Sequence, residues 1–417
     1  MKQIRIQGNT ELTGTISVGG AKNSAVALVP ASLLCDECVT IDNIPNISDI
    51  EALNEILVYL GAKVERNNKT MMIDPSNVEN KEIPEEVSKK LRASYYFMSA
   101  LLGKYKHVEM YFPGGCSIGA RPIDQTLKGF RALGAKVVEK DNKFIIDAKE
   151  LIGSEVKLDM PSVGATINTL LVAVRAKGVT TIKNAAKEPE IVNVAEFLNN
   201  MGAKIEGAGT SEIKITGVEK LSKCNIKVIP DRIEGGTYII LGALVGKNLV
   251  IENVNPNHLE NLISKLEAMN VNIQVLDDKV IINSNNKLSP VDVKTEGYPG
   301  FPTDLQQPLV TLLAMCNGKS VLEETIYENR FQNIPYLNQM GTNIEIDNKK
   351  IIINGPSNLK GSIVKATDLR AGACLVLAGL KAEGETVVTN VEHVLRGYEN
   401  IIEKLSNVGA KISLEEV

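Results

Sequence analysis

Two spacings of apolar residues alternate along the chain. Segments such as residues 135–148 (AKVVEKDNKFIIDA) and 342–355 (TNIEIDNKKIIING) alternate apolar and polar positions around a turn of Asn, Asp or Lys, the pattern of a β-hairpin. Each hairpin is followed by a second strand-like phrase: LTGTISV (12–18), LIGSEVKL (151–158), LSKCNIKV (221–228), LSPVDVK (288–294), LKGSIVKA (359–366) and, more weakly, IPEEVSK (83–89). A helix follows each phrase. Residues 24–34, 93–103, 164–174, 236–246, 305–315 and 371–380 are apolar nearly all round and rich in Ala and Gly, which predicts buried helices. The next helix in each unit, as in SDIEALNEILVYL (48–60) or HLENLISKLEAM (258–269), carries one apolar stripe and one charged face, so it lies at the surface.

The phrase "helix end, Gly-Ala-Lys, strand, turn, strand" recurs six times, with its marker at Gly61, Gly134, Gly202, Asn270, Gly341 and Gly409. Because Gly409 stands so near the C-terminal residue, the sixth hairpin has to be completed by residues 1–18. The expected organisation is therefore two domains of three units each: residues 22–229, and residues 1–21 combined with 230–417. The cleft between such lobes is the default ligand site.

Composition adds little beyond this frame. With 46 Lys and Arg against 50 Asp and Glu, a net charge of −4 and 44% hydrophobic residues, the chain has an ordinary globular balance. It gives no global electrostatic reason to bind nucleic acid or a membrane surface, and no apolar run reaches bilayer length. The N-terminus lacks the apolar core of a signal peptide, and the six Cys are scattered, so a cytoplasmic protein with reduced thiols is expected. Three isolated His and a lone Cys35-x-x-Cys38 give no metal set.

Equivalent turns in a repeat lie on the same face, so they can bring distant residues together. The turns into the buried helices hold Lys22-Asn23, Arg92, Ser162-Val163-Gly164, Asp231-Arg232, Thr303-Asp304 and Asp368-Leu369-Arg370, and four of the six carry a cation. Unpaired N–H groups at a helix start, joined by Lys or Arg, make an anion pocket. The turns into the surface helices supply PGGCSIGARPID (113–124), NAAKEPEI (184–191), IYENRF (326–331) and VEHVLRGYE (391–399), with Arg121, Arg330 and Arg396. Cys116, beside two Gly and near Arg121 and Asp124, is a candidate acid or nucleophile. Cys374 falls in an apolar helix and Cys316 at a helix end before Asn-Gly, and both read as packing residues.

Ten ordered motifs, VGGAKNSA, LRASYYF, PGGCSIGARPID, SVGATIN, NAAKEPEIV, PDRIEGGT, FPTDLQ, YENRF, ATDLRAGA and RGYE, span the chain. Together they resemble the UDP-N-acetylglucosamine 1-carboxyvinyltransferases, the UDP-GlcNAc enolpyruvyl transferases of the EPSP synthase superfamily. The resemblance implies an α/β fold, the two-domain inside-out α/β barrel of six repeated units, with the active site in the interdomain cleft. It also implies transfer of the enolpyruvyl group of phosphoenolpyruvate to the 3-hydroxyl of UDP-N-acetylglucosamine, with phosphate released. No cofactor, metal, nucleic acid, membrane or obligatory protein partner is implied.

By the same resemblance Lys22, Arg121 and Arg396 hold phosphoenolpyruvate, and Asn23 touches both it and the sugar. Arg92, Arg121, Pro122, Ile123, Asp124, Gln125, Ser162, Val163, Gly164, Asp304 and Ile326 bind the UDP-sugar, and Arg370 completes the anion clamp. Asp304 is the implied base or proton shuttle, and Cys116 the implied acid that also forms an adduct with phosphoenolpyruvate. Two departures stand out. Gln125-Thr126 replaces a frequent His, and Met160-Pro161 stands where some members carry a Lys, which removes one diphosphate cation. A shikimate-3-phosphate acceptor is the nearest alternative, against which the Cys-bearing loop argues. A silent UDP-sugar binder is a second, against which Cys116, Asp304 and Lys22 argue.

Overall fold

The structure, a computed structural model, describes residues 2–90, 92–113, 123–285 and 287–416. The chain divides into two compact units, one formed by residues 20–229 and the other by residues 2–19 with 230–416. The first crossing thus falls two residues ahead of the expected one. The reason is local: Ala21 N–H already donates to Ile229 O, whereas Gly19 N–H donates to the Glu234 carboxylate.

Within residues 20–229 three sheets surround three buried helices. In the first sheet Val39–Asp42 lies between Thr70–Asp74, antiparallel, and Asn225–Lys227, parallel. Since Asn225–Lys227 comes from the third repeat, this pairing closes the unit on itself. The third sheet has the same plan, with Val179–Lys183 beside Glu155–Lys157 and Glu212–Thr216. Among the described residues the middle sheet has three strands, His107–Tyr111, Lys143–Asp147 and Lys136–Lys140. Here the weak strand expected at 83–89 is instead a single bridge at Ile83 and a short helix, Glu85–Ser88. Pro84 has no N–H for a ladder, and Glu85 and Glu86 favour the start of a helix.

The second unit repeats the arrangement. Leu12–Ser17 pairs in parallel with Gly246–Glu252, again closing three repeats, and Lys2–Gln7 runs antiparallel between Glu385–Thr389 and Lys411–Glu416. The first strand thus completes the last sheet, with Ile4 opposite both Val388 and Leu414. Ile4 and Ile6 are fully buried.

The six apolar helices form the two cores: Lys22–Ala31, Tyr95–Tyr105 and Val163–Ala173 in one unit, and Arg232–Val245, Thr303–Leu313 and Leu369–Lys381 in the other. Gly236 lets two of them touch, because a Cβ there would meet Leu305 Cδ1 at 2.5 Å. The surface helices end on the repeat marker. Gly61, Gly134, Gly202, Gly341 and Gly409 all have φ between 94° and 106°, and Asn270 has φ 61°. Each is a left-handed helix stop, which Gly adopts freely and Asn tolerates. A second device recurs at the strand ends. Asn43, Asn184, Asn253 and Asn390 are left-handed at the ends of their strands, and each side-chain amide donates to a carbonyl just beyond the parallel neighbour: Val228, Leu158, Val18 and Ala366.

Candidate active site

The cation-bearing turns open helices as the repeat predicts: Lys22 and Arg232 are the first residues of theirs, and Arg370 is the second of its own. A cation beside the positive end of a helix is unfavourable unless an anion answers it. Two such anions come from the protein itself.

In the first unit, Lys22 Nζ lies 2.6 Å from Asp49 Oδ2. Asp49, on the surface helix Ser48–Leu60, is 5% exposed. In the second unit, Asp304 is clamped by two arginines. Arg330 Nη2 donates to Oδ1 at 2.8 Å, and Arg370 donates to Oδ2 through Nη2 at 3.0 Å and Nε at 3.3 Å. Burial pushes the Asp304 carboxyl up, but the charges and hydrogen bonds of Arg370 and Arg330 overcome this and hold it well below the ordinary carboxylate range. Asp304 is therefore ionised and, in this arrangement, a weak base. Arg330 is 2% exposed, and among the described residues its Nε and Nη1 have no partner. A buried guanidinium with two idle nitrogens has N–H donors left for an anion.

Aromatic faces steady the arginines. Arg92, Arg232, Arg330 and Arg370 each stand over a tyrosine ring, of Tyr95, Tyr298, Tyr327 and Tyr398, at 5.3–5.8 Å from the centroid. Tyr398 in turn shares a hydrogen bond of 2.9 Å with Thr237.

The expected UDP-sugar residues fall into several local groups. Ser162 caps the helix Val163–Ala173 by accepting from Ala165 N–H at 3.3 Å. A Cβ on Gly164 would meet Tyr95 Oη at 2.0 Å, so Arg92, Tyr95 and Gly164 form one contiguous stack. Ile123 and Asp124 open the helix Asp124–Ala132. Gln125 is tied to the turn before the helix Val163–Ala173, accepting from Asp159 N–H at 2.8 Å and donating to Asp159 and to its neighbour Asp124. Lys128 pairs with Asp159 at 2.5 Å, beside the Met160 that stands in place of a Lys. Ile326 is exposed, Asn23 half-buried, and Arg396 caps the short helix Glu392–Leu395. Cys116, Arg121 and Pro122 lie outside the described residues.

Cys35, Cys38, Cys224, Cys316 and Cys374 differ from an activated thiol. Burial raises all five, pushing Cys374 up to about 11 and Cys316 up to about 12. Cys316 and Cys374 are fully buried, as packing residues should be. Among the described residues no group of His, Cys, Asp and Glu is placed to hold a metal ion, and no helix is long and apolar enough to cross a membrane.

Three residues outside the expected set sit against members of it: Asp49 on Lys22, Arg330 on Asp304, and Glu324 beneath Thr303 and Ile326. Arg330 could have been found by giving weight to its place at an equivalent turn. Asp49 and Glu324 give no signal in one sequence.

The family model for EPSP synthase (3-phosphoshikimate 1-carboxyvinyltransferase) matches residues 6–405. The UDP-N-acetylglucosamine 1-carboxyvinyltransferase 2 of Geobacillus kaustophilus is 51% identical over 417 residues, covering 100% of this chain and 97% of that protein. Its namesake in Listeria monocytogenes is 52% identical over 408 residues, with 98% and 96% covered. Among solved structures, the enolpyruvyl transferase NikO of Streptomyces tendae superposes with a TM-score of 0.91 at 28% identity, covering 100% of this chain and 99% of that one. EPSP synthase of Acinetobacter baumannii, at 18% identity and a TM-score of 0.77 with 100% of both chains covered, shares the fold. Full-length identity of this order, on a chain whose repeats close into two three-unit bodies, places it in the EPSP synthase family and, within that family, among the UDP-N-acetylglucosamine 1-carboxyvinyltransferases.

Proposed function

We propose that this protein transfers the enolpyruvyl group of phosphoenolpyruvate to the 3-hydroxyl of UDP-N-acetylglucosamine and releases phosphate, the first committed step of peptidoglycan synthesis. The observation that carries this reading is the Asp304 carboxylate held between Arg330 and Arg370 at a helix start, with donors on Arg330 to spare.

The chemistry divides into addition and elimination. The 3-hydroxyl oxygen bonds to C2 of phosphoenolpyruvate as its proton leaves and the methylene carbon gains one. Loss of a proton from the new methyl group then expels phosphate and restores the double bond. Asp304 takes the hydroxyl proton, a role its clamped state disfavours. When substrate anions draw Arg330 or Arg370 away, the carboxylate loses its counter-charges and becomes a stronger base. Cys116 supplies the proton to the methylene. Lys22, Arg121 and Arg396 hold phosphoenolpyruvate, with Asn23 between it and the sugar. Arg92, Arg121, Pro122, Ile123, Asp124, Gln125, Ser162, Val163, Gly164, Asp304 and Ile326 hold the UDP-sugar. The cations stabilise the charge of the tetrahedral intermediate.

The setting is cytoplasmic, and the product feeds the cell wall, and through it cell shape and division. Cys116 is the thiol that fosfomycin would alkylate. The deciding experiment is phosphate release with phosphoenolpyruvate and each acceptor in turn. Release that requires UDP-N-acetylglucosamine supports the reading; release with shikimate-3-phosphate instead, or none with either, overturns it. Cys116→Ser should abolish most turnover and resist fosfomycin, and alkylation at the wild-type rate in that variant would remove Cys116 from its role.

A further inference from the structure

Glu324 follows the strand Lys319–Glu323 and is 1% exposed. Four donors converge on its carboxylate. Thr295 Oγ1, Ile326 N–H and Tyr327 N–H reach Oε1 at 3.0, 2.8 and 3.1 Å, and Thr303 Oγ1 reaches Oε2 at 2.8 Å. Among the described residues no Lys, Arg or His forms an ion pair with it. A buried carboxylate without a counter-cation is costly, and here only hydrogen bonds offset the cost.

Those bonds tie together the two segments that carry Asp304 and Ile326. One oxygen fixes Thr303, the first residue of the helix Thr303–Leu313, and Asp304 is the next residue. The other fixes the backbone of the loop at Ile326 and Tyr327. The loop then returns to the helix, because Arg330 stands over the Tyr327 ring and donates to Asp304. Glu324, Thr303, Asp304, Arg330 and Tyr327 thus form a closed circuit of contacts.

We infer that Glu324 is a positioning residue for the acceptor sugar, setting the register between the helix start that presents Asp304 and the loop that presents Ile326. It touches no substrate. The inference rests on the proposed reading of Asp304 and Ile326 as acceptor-binding groups, and it assigns Glu324 no part in holding phosphoenolpyruvate.

Three variants test it against wild type by steady-state kinetics, with thermal melting to establish that each is folded. In Glu324→Gln the amide oxygen still accepts from Ile326 and Tyr327, and the amide nitrogen can donate to the Thr303 hydroxyl. Its KM for UDP-N-acetylglucosamine should stay within about threefold of wild type. Thr303→Val cuts one arm of the circuit and keeps its shape, while Glu324→Ala removes all four bonds. Each should raise the acceptor KM about tenfold or more and leave the phosphoenolpyruvate KM within about twofold. Folded Thr303→Val with a wild-type acceptor KM, or a parallel rise in both KM values, overturns the inference, and Thr303→Val decides alone if Glu324→Ala does not fold. Absence of acceptor-dependent phosphate release by wild type would instead overturn the proposed function.

Discussion

Arg330 donates to Asp304 at 2.8 Å from a position that is 2% exposed, so removing the Asp304 charge strands a buried guanidinium. Asp304→Ala leaves the Arg330 and Arg370 guanidinium groups facing each other without their shared anion. It should destabilise the protein by about 3 kcal/mol in urea unfolding at pH 7. A loss no larger than that of an exposed Asp→Ala control would show that the clamp contributes nothing.

The same pairing predicts a pH dependence. The Asp304 pKa is lower in the folded chain than the ordinary 3.8. Its stabilisation is therefore present in full above the unfolded value and is lost as pH falls through the lower folded one. Asp304→Asn should flatten the fall of unfolding free energy between about pH 5 and pH 2 relative to wild type. Identical slopes for the two proteins would contradict the assignment.

Lys22, paired with Asp49 at 2.6 Å, is the cation proposed for phosphoenolpyruvate in the first unit. Lys22→Met should lower kcat/KM for phosphoenolpyruvate about thirtyfold or more and leave the dissociation constant for UDP-N-acetylglucosamine within about threefold. Phosphate-release kinetics at saturating acceptor, with calorimetric titration of the acceptor, would separate the two effects.

Gly164 faces Tyr95 Oη, and Tyr95 carries Arg92 on its ring. Gly164→Ala should push the ring aside and raise the KM for UDP-N-acetylglucosamine about fivefold, and adding Tyr95→Phe should restore part of the loss, as coupled neighbours do. Additive effects in the double variant would mean the stack is not shared.

Much of the architecture is legible in the sequence because it repeats. The marker residues have to stop helices, and all six are left-handed. The apolar helices have no polar face to turn outward, and they form the cores. The strand expected at 83–89 gave way to a helix because Pro84 cannot donate to a ladder, a local rule that outweighed the repeat. The Asn ladder at 43, 184, 253 and 390 is present in the sequence as four strand-ending Asn, but Asn is common in turns and only the fold shows that each amide reaches a carbonyl beyond the parallel neighbour. Asp49 and Glu324 were not readable. Their importance lies in partners brought close by folding, Glu324 reaching back 21 residues to Thr303 and 29 to Thr295, and a single carboxylate in one sequence announces neither.

The pairing of Lys2–Gln7 with both Glu385–Thr389 and Lys411–Glu416 sets a timetable for a chain made from its N-terminus onward. Residues 2–7 leave the ribosome long before residues 411–416, yet they form an inner strand of the sheet whose outer member those later residues supply. Residues 20–229 can settle while translation continues, but the strand Lys2–Gln7, with Ile4 and Ile6 uncovered, has to wait until residues 385–416 have been made. During that interval it is an unprotected β-edge on a nascent polypeptide, the form of exposure that chaperones shield.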